Sequence, residues 1–249
     1  MMDIGVQLFT IREYLSDPET AANAVKTLKA MGYTSAQLYG SKTVFSAAAQ
    51  ACRDAGMPIS GILSELEPLK RYGESVFDIC KEFDIPDVGI SATITEDMDV
   101  EGFIKDVNEY AAIVRSHGLS FSYHNHHREF YKTADGKTVM TRFLEGFDKA
   151  LVDFMPDTYW LQVGGADVRH FLEQTKDRVQ LLHLKDLIYT PEGPVFAEVG
   201  EGNLWFEGIF QTAQEVGIRR FVVEQDKCSR DPLESLRISI KNIKKMLSL

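Results

Sequence analysis

The amino-acid sequence predicts a (β/α)8 barrel, in which eight parallel strands are surrounded by helices. Strand-like and helix-like segments alternate from end to end, and eight of them are strand-like. The length of 249 residues is close to the roughly 250 residues of a typical barrel of this kind. The strand count together with this length favours closure over an open sheet. We therefore expect residues 1–249 to form a single domain.

Eight short apolar segments have the length and composition of buried strands. In chain order they are residues 4–9, 35–39, 59–63, 87–91, 119–124, 151–155, 179–184 and 220–224. The glycine-rich fingerprint that follows the first strand of a dinucleotide-binding open sheet is absent. This absence also favours the barrel.

Helix signals fill the intervals between these strands. The first helix opens with Asp17 and Pro18, a capping residue followed by proline at the first helical position, and closes near Gly32. Residues 102–118 carry apolar side chains at helical spacing and end in glycine. Residues 231–249 open with another Asp-Pro pair and end in lysines, which suit a helix C-terminus.

Composition narrows the classes of partner. The net charge of −10 repels phosphate backbones, so nucleic acid is not an expected partner. No apolar run approaches the roughly 20 residues that span a bilayer, and the start MMDIGVQLF lacks the basic region of a secretory signal. We expect a cytoplasmic protein without a membrane partner. Cys52 and Cys80 fall in helical stretches and are predicted to be reduced core thiols.

Four potential metal ligands stand where predicted strands end: His124, Asp157, His183 and Glu224. In a parallel barrel the carboxyl ends of all strands open onto one face, so these side chains can meet there. Alternation along the fifth strand places His124 on the same inward face as Ser120 and Ser122. Two nitrogen and two carboxylate ligands that converge on one point would hold a divalent cation.

The fifth strand ends in a cluster of histidines, HNHH, and His126 shares the inward side with His124. A single histidine at a strand end more often satisfies a local hydrogen bond than binds a ligand. Three of the chain's six histidines lie in this cluster, and His183 ends another strand. This concentration favours a functional site over a solvated loop.

The chain resembles the xylose-isomerase-like barrel superfamily of sugar isomerases and epimerases, which also includes inosose dehydratases and endonuclease IV. The resemblance covers nearly the whole length and rests on the segments GVQLFTIRE, YHNHHREF, DTYWLQVGGAD, HLKDL, EVGEGNLWFEGIF, VVEQD and DPLESL. It implies one ion of the Mn, Mg, Co or Zn type, with Asp157, His183 and Glu224 matching three of the usual ligands.

The chain departs from this family's pattern at two positions. Many of the epimerases have a glutamate where this chain has His124, and they use that carboxylate with the last one as an acid/base pair. Many relatives also have a histidine where this chain has Trp160, three residues after the ligating aspartate. The second departure, together with the acidic net charge, argues against the multi-zinc site of a nuclease.

The chemistry of sugar isomerisation can be argued from the residues themselves. A proton must leave the carbon next to a carbonyl, and a divalent ion stabilises the enediolate that forms. Glu224 is the first candidate for the base that moves this proton. Glu129 is either the second carboxylate or an exposed loop acid. Lys185 either neutralises a developing alkoxide or forms an ion pair with Asp186.

Several residues are candidates for binding the substrate. Trp160 is predicted to form a pocket wall, and Trp205 either stacks on a sugar or lies in the core. Gln7 and Gln37, near the ends of the first two strands, either bind hydroxyls or fill the barrel interior. The connection 188–204 is long for an α/β repeat and is either a lid or a surface excursion.

Three functions compete at this level. The leading one is a metal-dependent isomerase or epimerase of a sugar or sugar phosphate, acting through an enediolate. The second is a lyase or dehydratase acting on a keto-sugar or inosose, with His126 as the acid. The third is a barrel that binds a polyol without turnover. In each case the partner is a small sugar or polyol, and a homo-oligomer is possible. A non-phosphorylated sugar is at least as well supported as a sugar phosphate, because the candidate strand ends carry few cations apart from Lys185.

Overall fold

A computed structural model describes residues 2–40 and 42–248, and it shows eight parallel strands arranged as a barrel with helices around it. The predicted (β/α)8 fold is confirmed, and every predicted strand segment overlaps a barrel strand. The barrel strands are β1 (Asp3–Gln7), β2 (Ser35–Tyr39), β3 (Ile59–Glu65), β4 (Asp87–Ser91), β5 (Ser120–His124), β6 (Asp153–Met155), β7 (Leu182–Leu184) and β10 (Arg220–Val223).

The order of hydrogen-bonded neighbours is β6, β5, β4, β3, β2, β1, β10, β7. The remaining gap, between β6 and β7, is bridged by the parallel pairs Phe154 with Val179 and Asp157 with His183. The backbone N–H of His183 also donates to the carbonyl oxygen of Pro156 at 2.8 Å. These contacts bring the ends of β6 and β7 together, which matters for the site described below.

Ten α-helices accompany these strands within the described residues. They are α1 (Pro18–Met31), α2 (Lys42–Ala55), α3 (Leu66–Tyr72), α4 (Glu74–Glu82), α5 (Val100–Ser116), α6 (Val139–Gly146), α7 (Thr158–Val163), α8 (Val168–Thr175), α9 (Phe206–Glu215) and α10 (Pro232–Met246). Helix α1 begins and ends as predicted, since Asp17 accepts a hydrogen bond from the Thr20 N–H and Gly32 has a φ of 104°. Asp231 caps α10 in the same way.

Two further strands lie outside the barrel, in the long connection after β7. Strands β8 (Asp186–Thr190) and β9 (Gly193–Ala197) pair antiparallel as a hairpin. Cys52 and Cys80 are buried and free, as predicted. Among residues 2–40 and 42–248, no helix is both long and apolar enough to cross a membrane.

The amino-terminal end of the barrel contains a buried acid, Asp87, at the start of β4. Its Oδ2 accepts a hydrogen bond from the Ser122 hydroxyl at 2.8 Å, while its Oδ1 has no partner. Burial raises the pKa of Asp87 to about 7, although the Ser122 hydrogen bond and Arg220 act against this. An acid whose pKa is higher in the folded chain than in the unfolded chain favours folding at low pH. That contribution is lost as the pH rises from the unfolded value through the folded one.

We expect the substitution Asp87→Asn to stabilise the protein more at pH 8 than at pH 5. The change in unfolding free energy, variant minus parent, should be about 2–3 kcal/mol more favourable at pH 8. Asparagine cannot ionise, so the variant lacks the cost of a buried charge above the folded pKa. Urea unfolding at the two pH values measures this difference. Asp78→Asn, on the exposed side of α4, controls for the loss of one charge. An equal effect of Asp87→Asn at both pH values would contradict the expectation.

Candidate metal and substrate site

The four predicted ligand residues converge at the carboxyl ends of the strands. His124 ends β5, Asp157 follows β6, His183 lies in β7 and Glu224 follows β10. All four are buried, and each offers one ligand atom that lies within 4.8 Å of the other three. Their arrangement follows from the parallel strands, which all end on this face.

Several atoms of this cluster lack hydrogen-bond partners. Neither ring nitrogen of His124 has one. Oδ2 of Asp157 makes no well-formed hydrogen bond either, although it lies 3.4 Å from His124 Nε2 and forms an ion pair with the Lys185 ammonium at 3.0 Å. A buried polar atom without a partner carries a substantial desolvation cost. A cation bound to the lone pairs of these atoms would remove that cost. The donor set of two imidazoles and two carboxylates therefore fits a divalent metal ion.

Local structure fixes the orientation of Asp157. The residue is the N-cap of α7, and its Oδ1 accepts a hydrogen bond from the Trp160 N–H at 2.9 Å. Its own N–H donates to Oδ1 of the buried Asn125 at 3.0 Å. With Oδ1 used by the cap, Oδ2 points into the cluster. Asn125 was not among the predicted site residues, because nothing in the motif HNHH indicates which way its side chain points.

Gln7 and Gln37 support His183 from within the barrel. Gln37 Oε1 lies 2.8 Å from His183 Nε2 and also accepts a hydrogen bond from Gln7 Nε2 at 2.7 Å. On the other side of the ring, Nδ1 of His183 lies 3.0 Å from Glu224 Oε2, close enough to donate a hydrogen bond to it. With the Nε2 hydrogen donated to Gln37, deprotonated Nδ1 could instead offer its lone pair to a metal ion held between it and Glu224. Metal-ligating histidines are commonly oriented by such a second hydrogen bond. The geometry favours the interior role of these glutamines, since neither is among the residues that line the cavity described below.

Lys185 lies at the centre of the charged groups. Its ammonium is 3.0 Å from Asp157 Oδ2, 3.0 Å from Glu224 Oε2 and 2.9 Å from Asp226 Oδ1, and the side chain is only 1% exposed. Burial acts to lower the pKa of Lys185, but these three carboxylates raise it above its ordinary value. The alternative Lys185–Asp186 ion pair is not formed; Lys185 pairs with these other carboxylates.

The pKa values of the carboxylates around Lys185 are shifted in opposite directions. Burial acts to raise the pKa of Glu224, but Lys185 and His183 hold it well below its usual range. Asp157 follows the same pattern, and the Lys185 ammonium is the main cause of its lowered pKa. Burial raises the pKa of Asp226 to about 6 despite Lys185. At neutral pH these groups form an anionic cluster around one ammonium.

A cavity of about 240 Å³ opens beside this cluster. One side of it carries His124, His126, Lys185, Glu224 and Asp226. The other side is formed by residues that sequence reasoning missed as site residues: Phe9, Tyr39, Leu63, Glu65, Ser91, Ala92 and Thr93. Most of these lie at the ends of β2, β3 and β4, so strand position was the signal that could have indicated them.

His126 faces the cavity, with its ring centroid 5.1 Å from that of His124. Burial lowers the pKa of His126 to about 3, and His124 and Lys185 act in the same direction. The imidazole is therefore neutral at pH 7. In this state it can accept or donate a hydrogen bond, but it holds no proton in reserve as an imidazolium acid.

Glu129 lies apart from the cavity. It is fully buried, and its Oε1 accepts hydrogen bonds from the Tyr123 hydroxyl at 2.7 Å and the His126 N–H at 2.9 Å. Burial raises the pKa of Glu129. The side chain is thus not an exposed loop acid, and it does not border the cavity either. Its contacts hold the turn that carries His126.

The two tryptophans occupy different positions. Trp160 packs beside His126 and is stacked on His127, with the Lys185 ammonium 5.5 Å from its ring centroid. It therefore borders the cluster, but it is not among the residues that line the cavity of about 240 Å³, so its role as a pocket wall stays a prediction. Trp205 is 60% exposed at the start of α9, with the Arg169 guanidinium over its ring. Trp205 therefore lies neither in the core nor beside the cavity, and both alternatives predicted for it are wrong.

The connection 188–204 contains most of the hairpin and a tight turn beside the site. Phe196 of β9 stacks on Tyr159, with ring centroids 4.4 Å apart, and also contacts Trp160. The buried carboxylate of Asp186 accepts hydrogen bonds from four backbone N–H groups, those of Leu187, Gly200, Gly202 and Leu204. This segment is attached firmly to the residue that follows Lys185.

Comparison with known proteins identifies relatives of the whole barrel. The sequence profile of the family described as xylose isomerase-like TIM barrel matches residues 25–246. An inosose dehydratase from Bacillus licheniformis is 26% identical over an alignment 169 residues long, which covers 61% of this chain and 55% of that protein. The chain thus spans about half the length of the curated relatives that it matches.

Solved structures show the same fold. A sugar phosphate isomerase/epimerase from Parabacteroides distasonis ATCC 8503 has 24% sequence identity and a TM-score of 0.81, covering 98% of this chain and 93% of that one. A xylose isomerase-like TIM barrel protein from Mycobacterium smegmatis, solved in complex with magnesium, has 14% identity and a TM-score of 0.73. It covers 100% of this chain and 97% of that one.

Proposed function

We propose that this chain, which belongs to the xylose isomerase-like TIM barrel family, is a divalent-metal-dependent isomerase or epimerase of a small sugar. One observation carries the proposal: four buried donor side chains converge beside a cavity that also contains Lys185 and Asp226. The proposed reaction removes a proton from the carbon next to a carbonyl and returns it to a neighbouring atom or to the opposite face.

The proposed ligands of one Mn, Mg, Co or Zn ion are His124, Asp157, His183 and Glu224. When bound, such an ion polarises the carbonyl and hydroxyl oxygens of a sugar as a Lewis acid. The unpartnered ring nitrogens of His124 and the two carboxylates that converge beside them support this assignment. The magnesium complex of the Mycobacterium smegmatis protein is consistent with it.

The proton-transfer roles fall to residues that face the cavity. Glu224 makes its contacts with His183 and Lys185 through Oε2, so we assign Oε1 as the base. Lys185 places an ammonium where negative charge develops on the substrate oxygen. Asp226 is the second carboxylate on this side of the cavity. We assign it the role of second carboxylate, for which Glu129 was the candidate from the sequence.

The far side of the cavity indicates what the substrate carries. Tyr39, Ser91 and Thr93 offer hydroxyl groups, and Glu65 offers a carboxylate. These are hydrogen-bonding partners for the hydroxyls of a polyol. The volume of about 240 Å³ is below that of sites for drug-sized ligands, which suits a small sugar.

A heavy-water experiment tests this function directly. The protein, loaded in turn with Mn²⁺, Mg²⁺, Co²⁺ and Zn²⁺, is incubated in D₂O with a panel of aldoses, ketoses, keto-sugars and inososes. Mass and proton spectra should show deuterium at one carbon together with an isomerised product. A protein that binds these metals and the sugars, but exchanges no proton, would contradict the proposal and support a binding role.

The second candidate function is a metal-dependent lyase that removes water from a keto-sugar or an inosose. It is favoured by the resemblance to the inosose dehydratase of Bacillus licheniformis and by the histidines on the cavity wall, where the neutral His126 can donate a hydrogen bond to a leaving hydroxyl but cannot act as the imidazolium acid. In the heavy-water experiment this reaction would be recognised by a product that is lighter by one water.

The variant His124→Glu separates the two candidates. For an isomerase we expect metal binding to persist and proton exchange to remain within about tenfold of the parent, because many epimerases of the family have a carboxylate at this place. If the histidine serves elimination, the variant should lose activity. His170→Glu, on the exposed surface of α8, controls for the added charge. Loss of exchange in His124→Glu alone would contradict the isomerase assignment.

A further inference from the structure

The Lys185 ammonium contacts both of the carboxylates that the proposed metal site offers. It lies 3.0 Å from Asp157 Oδ2 and 3.0 Å from Glu224 Oε2, and these two residues are the carboxylates among the four proposed ligands. Its third contact, Asp226 Oδ1 at 2.9 Å, belongs to a residue outside the ligand set. A cation of the chain itself and a divalent ion would therefore share two carboxylates.

We propose that Lys185 is an internal counterion that competes with the divalent ion for Asp157 and Glu224 and thereby lowers the metal affinity of the site. The inference rests on the metal site of the proposed function. Asp226 gives the ammonium a partner that it keeps when a metal ion takes the other two carboxylates. The metal then binds reversibly to a site whose charges are already partly neutralised.

The charge balance supports this competition. Asp157, Glu224 and Asp226 bring three carboxylates together, and Lys185 is the cation in contact with all of them. The lysine side chain is 1% exposed, so solvent contributes little to the balance. Charges interact more strongly in such a buried place than in water. An ammonium next to a divalent ion repels it, and loss of the ammonium leaves an additional net negative charge for the ion to neutralise.

Two aromatic rings lie beside the Lys185 ammonium. Its Nζ lies 5.5 Å from the ring centroid of Trp160 and 5.9 Å from that of Phe196, distances at which an ammonium is attracted to an aromatic face. Asp226 is also the most exposed of the three carboxylates, with 22% of its side chain accessible. A small shift of the lysine towards Asp226 would keep these contacts while it leaves Asp157 and Glu224.

Other roles for Lys185 predict different metal affinities. A lysine that acts only on the substrate would leave the affinity unchanged when it is replaced. A lysine that orients the ligands would weaken metal binding when it is replaced. Competition alone predicts that replacement by a neutral side chain strengthens metal binding. Metal affinity, measured without any sugar, therefore distinguishes the three roles.

Calorimetric titration with Mn²⁺ tests the inference on the full chain. We expect Lys185→Met to bind Mn²⁺ at least about tenfold more tightly than the parent. Lys185→Arg keeps the charge and should stay close to the parent. Lys26→Met, on the exposed surface of α1, should not change the affinity. Equal or weaker Mn²⁺ binding by Lys185→Met overturns the inference.

Thermal unfolding, in chelator and with added Mn²⁺, gives a second measurement. Lys185→Met should unfold at a lower temperature than the parent in chelator and should gain more from added Mn²⁺. If the variant folds only with metal, competition against a coloured chelator gives the affinity ratio instead. Failure of both proteins to bind Mn²⁺, Mg²⁺, Co²⁺ or Zn²⁺ would overturn the proposed metal site as well, whereas equal binding by both overturns the competition alone.

Discussion

Glu224→Gln is expected to reduce proton exchange on the substrate by about 100- to 10,000-fold, the usual contribution of a positioned acid/base group. Glutamine has the same shape but cannot take a proton, and it offers Lys185 and His183 a neutral partner in place of the carboxylate that both now contact. Metal affinity should fall too, because Glu224 is a proposed ligand.

Exchange in D₂O and Mn²⁺ titration measure the two effects of Glu224→Gln separately. Glu207→Gln, on the exposed surface of α9, is the matched control and should leave both unchanged. Circular dichroism verifies that the barrel remains folded. Full proton exchange by Glu224→Gln would remove this residue from the role of base.

Asp157→Ala and Asp157→Asn are expected to differ in stability but not in metal binding. Both remove a negatively charged ligand, so both should bind Mn²⁺ at least about a hundredfold more weakly. Alanine also removes the N-cap of α7, in which Oδ1 accepts the Trp160 N–H, whereas asparagine is a good N-cap. The alanine variant should therefore be less stable than the asparagine variant by about 0.5–2 kcal/mol.

Urea unfolding in chelator measures this stability difference without any contribution from metal binding. Calorimetry then compares the two variants with the parent. Equal stability of the two variants would show that the cap contributes nothing to the fold. Parent-like affinity in Asp157→Asn would show that this carboxylate is not a metal ligand.

Strand position made the fold and the ligand cluster predictable. The eight apolar segments set the strand count, and alternation along β5 placed His124 on the inward face. His183 and Glu224 needed only the rule that parallel strands end on the same side of a barrel. For this reason the convergence of the four side chains could be predicted, although metal binding itself stays a proposal.

Residues in turns could not be placed in the same way. Glu129 follows β5 by five residues, and the short 3₁₀ turn Arg128–Phe130 directs its carboxylate towards Tyr123 rather than the cavity. Asp226 follows β10, and its contact with Lys185 depends on the path of the backbone after Glu224. Periodicity gives no information about such paths, because they are set by tertiary contacts.

The same limit applies to Trp205 and Asp186. A tryptophan near a predicted lid suggests a sugar platform, but Trp205 begins a helix on the outside of the barrel. The motif HLKD suggested a lysine–aspartate pair, yet the Asp186 carboxylate is fully used by four backbone N–H groups. Hydrogen bonds to the backbone leave no pattern in the sequence of side chains.

The firm attachment of the hairpin determines how molecules reach the cavity. With Asp186 holding the turn 200–204 and Phe196 packed on Tyr159, the rim beside β7 is a fixed wall. Substrate and product should therefore enter and leave over the opposite rim, beside Tyr39 and Glu65. An immobilised sugar intended to capture this protein should carry its linker on the end that points towards that rim, since a linker on the other end would meet the hairpin.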